Sequence, residues 1–131
     1  MSVLSTSRTD KRPFKGKGAV EWLAREEREY RKLLGEMERL SNESRKAPGN
    51  AWYLFLHHRK VSGQHFLMWR SFGHVHAHLP WEKIEPQLSA LRESQRNWFI
   101  EANELSRLLN ARERAVRHAV KLAADLVSEA Q

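Results

Sequence analysis

Between Gln87 and Gln131 the chain contains neither proline nor glycine. Trp98, Ala102, Leu105, Leu109, Val116, Ala119, Ala123 and Leu126 recur along it at steps near about 3.5 residues. That spacing predicts helix, and it leaves little room for any other fold class. Pro80-Trp81 reads as a turn, and Pro86 suits a first helical position. Arg112 interrupts the seam, and Asn97 or Asn110 is a candidate break, so one long helix or two shorter ones remain open. Unbroken from residue 86 to 129, the helix would span about 65 Å. A stripe that long has to pack on something. The first helix, an antiparallel pair and a second copy of the chain, giving a homodimer, all qualify.

Residues 19–46 predict a first helix on the same grounds, with Val20, Leu23, Tyr30, Leu34, Met37 and Leu40 forming the stripe and Trp22 and Leu33 widening it. Glu21–Arg25 and Glu27–Arg31 sit at helical spacing on its outer faces. Pro48-Gly49-Asn50 ends it.

The period then changes. Residues 51–61 and 64–72 are rich in aromatic and other strand-forming side chains, with Ser62-Gly63 between them as a two-residue turn. They predict a β-hairpin, and residues 73–79 offer a third strand that would complete a meander. With Val61 opposite Gln64, Arg59 faces Phe66, His57 faces Met68, Phe55 faces Arg70 and Tyr53 faces Phe72, all on one side of the ribbon. The opposite side carries Trp52, Leu54, Leu56, His58, Leu67 and Trp69, and is the more aliphatic. It is the expected core face. The first side mixes arginines with rings, as a base-stacking platform would. The alternative is that helices cover both sides and the rings are core.

Charge singles out the same region. The chain carries a net +7. Residues 1–17 have five basic side chains, Arg8, Lys11, Arg12, Lys15 and Lys17, against Asp10 alone, while residues 48–79 have Arg59, Lys60 and Arg70 and no acid. Residues 18–47 hold seven of each sign and residues 80–131 eight of each. The whole excess therefore lies in an N-terminal segment and the hairpin. A localised basic excess is an electrostatic footprint for a polyanion. The N-terminal segment, with Pro13 and Gly16 and no periodicity, reads as a flexible arm able to follow a phosphate backbone.

Enzymatic chemistry finds little support. There is no cysteine, and Asp10 and Asp125 are the only aspartates. Ser62 lacks a nucleophile elbow, and Pro13 to Gly18 lacks the phosphate-loop pattern. His74, His76 and His78 alternate, so an extended strand would align them, and a His-dependent metal protein is a third reading. Same-face residues lie about 6.6 Å apart along a strand, which is wide for one ion. Neither a metal nor a cofactor is expected. No apolar run is long enough for a membrane span, and Met1 to Thr9 lacks a secretory signal, so the expected location is the cytoplasm.

Arg-Pro-Phe-Lys-Gly-Lys-Gly at residues 12–18 and Phe-Leu-Met-Trp-Arg-Ser at residues 66–71 resemble a family of unknown function encoded on bacterial integrating conjugative elements. In that family a Pro-Phe-Lys-Gly-Lys-Gly segment precedes a helix, a Trp-Arg strand lies centrally and the C-terminal half is helical. Met68 stands where the family has a basic residue, and the histidine alternation is not part of its pattern. The resemblance implies the company of genes for integrating, maintaining and transferring mobile DNA. It implies no catalytic residue.

The expected fold is thus α+β, mainly α: a basic arm at 1–17, then a single helical domain at 18–131. That domain has a long N-terminal helix, a small central antiparallel hairpin or meander at about 51–79, and one or two C-terminal helices. The expected function is non-catalytic binding of nucleic acid, DNA ahead of RNA, in service of a mobile element. The candidate contacts are Arg8, Lys11, Arg12, Lys15, Lys17, Tyr53, Phe55, Arg59, Lys60, Phe66 and Arg70. The rival is a helical protein-interaction adaptor, which an exposed stripe of Leu105, Leu109, Val116 and Leu126 would favour.

Overall fold

The computed structural model of the chain describes residues 16–46, 51–73 and 77–131. The fold is α+β and mainly helical. Helix α1 is Lys17–Ser44, strand β1 is Trp52–Arg59 and strand β2 is Gln64–Ser71. A single helical turn α2, Trp81–Ile84, runs into a 3-10 helix, Glu85–Ala90, and helix α3 is Glu93–Ala130. The described residues form two compact units. One takes in the described residues up to Arg31 together with Ala115–Gln131, and the other holds those between Lys32 and Arg114. No described helix is long and apolar enough to cross a membrane.

In the first unit, Gly16 has a positive φ of 81°, and a side chain there would meet the Ala130 Cβ at 3.0 Å. Gly16 therefore satisfies two demands at once, a left-handed backbone and a close approach. Its carbonyl accepts from the Val20 N–H at 2.8 Å, so it leads directly into α1. Lys17, read as the last residue of an arm, is the first residue of this helix. Ala123 is fully buried on the α3 side.

The second unit holds the main core. Leu33, Met37 and Leu40 of α1, Trp52 and Leu54 of β1, and Leu67 and Trp69 of β2 are buried together with Ile84, Leu88, Phe99, Ala102 and Leu109. Phe99 sits at its centre. Its ring lies 5.3 Å from Trp52 and from Trp98, edge to face, and 5.8 Å from Trp69. The side of the hairpin expected to be core is the one these rings occupy.

Several expectations are corrected. The hairpin register pairs Arg59 with Gln64, His57 with Phe66, Phe55 with Met68 and Tyr53 with Arg70, two residues away from the expected one. The loop is four residues, Lys60 to Gly63. A two-residue turn needs positive φ at its first central position, and Ser62 would have to supply it. The positive-φ glycine of the loop is Gly63, 76°, whose N–H donates to the Arg59 carbonyl at 2.9 Å. A shift of two leaves every side chain on its expected face, because alternation has period two. The third strand reduces, among the described residues, to one bridge between Arg70 and His78 and a Leu79 N–H bond to the Trp69 carbonyl at 2.9 Å.

The long C-terminal helix begins at Glu93, and Pro86 lies in the first turn of the 3-10 helix instead. It is continuous through Asn97 and Asn110, about 57 Å from end to end. Arg112, which interrupts the apolar seam, pairs with Glu36 of α1 at 3.3 Å.

Candidate nucleic-acid interface

A two-stranded sheet has two edges and two faces, and each must be satisfied or solvated. One face is packed on the core described above. Both edges are occupied by helix side chains. On the β1 edge, the Ser41 hydroxyl donates to the Leu54 carbonyl at 2.7 Å, and the Leu54 N–H donates to the Ser44 hydroxyl oxygen at 2.8 Å. The Ser44 hydroxyl in turn donates to the Ser41 carbonyl at 2.6 Å. On the β2 edge, the Leu67 N–H donates to Asn110 Oδ1 at 2.7 Å, and Asn110 Nδ2 returns a bond to the Leu67 carbonyl at 3.0 Å. The His65 N–H donates to Glu113 Oε2 at 2.9 Å, and Trp69 Nε1 donates to Asn103 Oδ1 at 3.0 Å.

What remains is the outer face. Its side chains form a ladder of rings and guanidinium groups. Arg70 lies 3.7 Å over the Phe55 ring and Arg59 lies 5.2 Å over Phe66. His57 sits between the two rings, 6.2 Å from Phe55 and 5.0 Å from Phe66. At the far end Arg45 lies 4.8 Å over Tyr53, and Phe72 packs on Tyr53 at 4.8 Å. Each cation-over-ring contact contributes about 0.5–1 kcal/mol at an exposed site. From Ser44 to Trp81 there is no carboxylate in the sequence. None of the three arginines has a carboxylate partner among the described residues. Arg70 Nε is shielded and has no hydrogen-bond partner there either.

The expected contacts thus fall into three groups. Phe55, Arg59, Phe66 and Arg70 share the outer face, and Lys60 is exposed in the loop beside them. Tyr53 is on that face but only 6% exposed, so it is the floor beneath Arg45 and Phe72 and offers no open ring. Phe72, 43% exposed, takes that role. Lys17 belongs to the other unit, and Arg8, Lys11, Arg12 and Lys15 lie outside the described residues. Arg45 was not anticipated, although its place directly after α1 and before an acid-free stretch is the signal that marks it. A hollow of about 430 Å³ opens beside Phe55, lined also by Glu38, Ser41, Asn42, Arg45 and Leu56. Glu38 disfavours a phosphate at that rim.

At the loop end the inner-face rings of His58 and His65 stack in parallel, 4.2 Å apart. Burial, and then the charge of His58, lower the His65 pKa below its ordinary 6.5, while Glu113, the Gly63 backbone and Glu38 pull it upward. Folding therefore favours the neutral ring. The stabilisation is complete above pH 6.5 and is lost as pH falls through the lowered folded value. We expect the melting temperature to drop between about pH 7 and pH 5, and to drop less in His65→Gln. Equal acid sensitivity of parent and variant in thermal melts would remove His65 as the cause.

Among the described residues no three His, Cys, Asp or Glu side chains are grouped to hold a metal ion. His74 and His76 lie outside the described residues, and His78 is exposed beside Arg70. No protein-family model, curated protein or solved structure matches the chain.

Proposed function

We propose that the chain is a non-catalytic nucleic-acid-binding protein that serves a mobile genetic element in the cytoplasm. The observation that carries the reading is the outer face of the hairpin, where Arg45, Arg59 and Arg70 lie over rings with no carboxylate partner among the described residues. Aromatic rings interleaved with unpaired guanidinium groups suit a polymer that offers both flat bases and phosphates. The basic residues before α1 add charge to the same task, and the mobile-element setting rests on the two resembling motifs.

The test is fluorescence anisotropy of labelled oligonucleotides against the full chain across a salt series. Binding should weaken with salt, and Arg59→Gln, Lys60→Gln and Arg70→Gln together should flatten the log–log slope by about 2 to 3. Absence of binding at low salt would overturn the proposal. The adaptor reading would then lead, because Ile100, Leu105 and Leu108 are exposed on α3 within the second unit. Its expected stripe is split, with Leu105 and Leu126 exposed, Val116 half-buried and Leu109 buried.

A further inference from the structure

We infer that the ligand is a single strand, its bases splayed across the outer face of the hairpin, and not a duplex. The inference rests on the nucleic-acid reading above and adds which form of the polymer fits.

A two-stranded ribbon reads duplex DNA by lying in the major groove, which is about 12 Å wide. Here the β1 edge is bonded to Ser41 and Ser44 of α1, and the β2 edge to Asn110 and Glu113 of α3. Strands lie about 5 Å apart, and a helix with its side chains is about 10 Å across. With helix side chains bonded to both edges, what would enter the groove is bulkier than a bare ribbon of two strands. An intact duplex offers phosphates to the arginines but no unstacked base to the rings.

A single strand uses the rings. Same-face residues along a strand are about 6.6 Å apart, roughly twice the 3.4 Å rise of stacked bases. Successive rings cannot serve successive stacked bases, so each ring takes an unstacked one. Unstacking a duplex step costs a few kcal/mol, whereas a single strand is already open. At the two ends of the ladder Phe72 is exposed and Phe66 is partly exposed, with Arg59 5.2 Å over its ring. Between them Arg70 covers Phe55. Lifting Arg70 off Phe55 opens that ring to a base and gives the buried Nε an acceptor on the phosphate. A base and its phosphate arriving together supply both.

The experiment compares three probes with the full chain at one salt concentration: a short oligothymidylate, a duplex of the same length and an abasic oligomer. The oligothymidylate should bind at least about tenfold tighter than either of the others. Phe66→Leu with Phe72→Leu should weaken it by about fivefold or more and leave the abasic probe unchanged. Both side chains are partly exposed, and a thermal melt confirms that the variant folds. Equal affinity for the abasic oligomer, or a duplex bound as tightly, would overturn the single-strand proposal while leaving the nucleic-acid reading in place. Failure to bind any of the three would overturn both.

Discussion

Phe99→Ala should lower the free energy of unfolding by about 3–5 kcal/mol, the largest stability loss expected of any single truncation in the second unit. The ring is fully buried and is held from three directions, by Trp52 on β1, Trp69 on β2 and Trp98 on its own helix. Deleting it loses the transfer free energy of the ring and leaves a cavity. Three large rigid neighbours on separate elements cannot collapse into that cavity without moving the hairpin against α3, so little of the loss is recovered. Leu108→Ala, at a position 55% exposed, is the control, with an expected change of about 0.5 kcal/mol. Urea unfolding monitored by tryptophan fluorescence measures both. A loss under about 1.5 kcal/mol for Phe99→Ala would mean that the aromatic cluster is not what joins hairpin to helix.

Phe99 also shows where the sequence is readable and where it is not. Helix, hairpin and helix follow from periodicity, and the core face of the hairpin follows from alternation, which a two-residue register shift does not disturb. The inward face of α3 is different. The expected seam ran through Trp98, Leu105 and Leu109, yet Trp98 is half-buried and Leu105 is exposed. The inward face is Phe99, Ala102, Asn103, Ser106, Leu109, Asn110 and Glu113. Its spacing is as helical as the expected seam, but its polar members read as solvent-facing by hydropathy. Asn110 and Glu113 point inward because they meet backbone groups of β2, and Asn103 because it meets the Trp69 indole N–H, and nothing local in the sequence announces a strand edge alongside. Ser41 and Ser44 extend the α1 stripe of Leu33, Met37 and Leu40 in the same way.

The outer-face ladder was legible in composition and side, because Phe55, Arg59, Phe66 and Arg70 are set by alternation alone. Which rings stay open was not. Tyr53 is covered by Arg45 and Phe72, both of which lie beyond the strands and reach it only through tertiary geometry. The same geometry turns a set of candidate contacts into an argument about ligand form. The polar residues that sequence reading assigns to solvent close both edges of the ribbon, and closed edges are what make its outer face a platform.

Asn110→Ala should destabilise the fold by about 2–3 kcal/mol. The substitution removes both bonds to Leu67, leaving an N–H and a carbonyl unmet on a strand that lies against α3. An unsatisfied buried group costs about 1–3 kcal/mol, and Asn110 is half-buried, so water recovers part of the loss. Asn110→Asp separates the two bonds. It keeps an acceptor for the Leu67 N–H but sets an oxygen against the Leu67 carbonyl, so it should fall short of wild type. Hydrogen exchange supplies the local readout: the Leu67 amide should lose protection in Asn110→Ala and keep more of it in Asn110→Asp. The bared edge is also a template for strand addition, so Asn110→Ala should scatter more light as concentration rises. An unchanged Leu67 amide in Asn110→Ala would mean that the strand needs no cover on that edge. The ribbon would then be closed only on the β1 side, by Ser41 and Ser44.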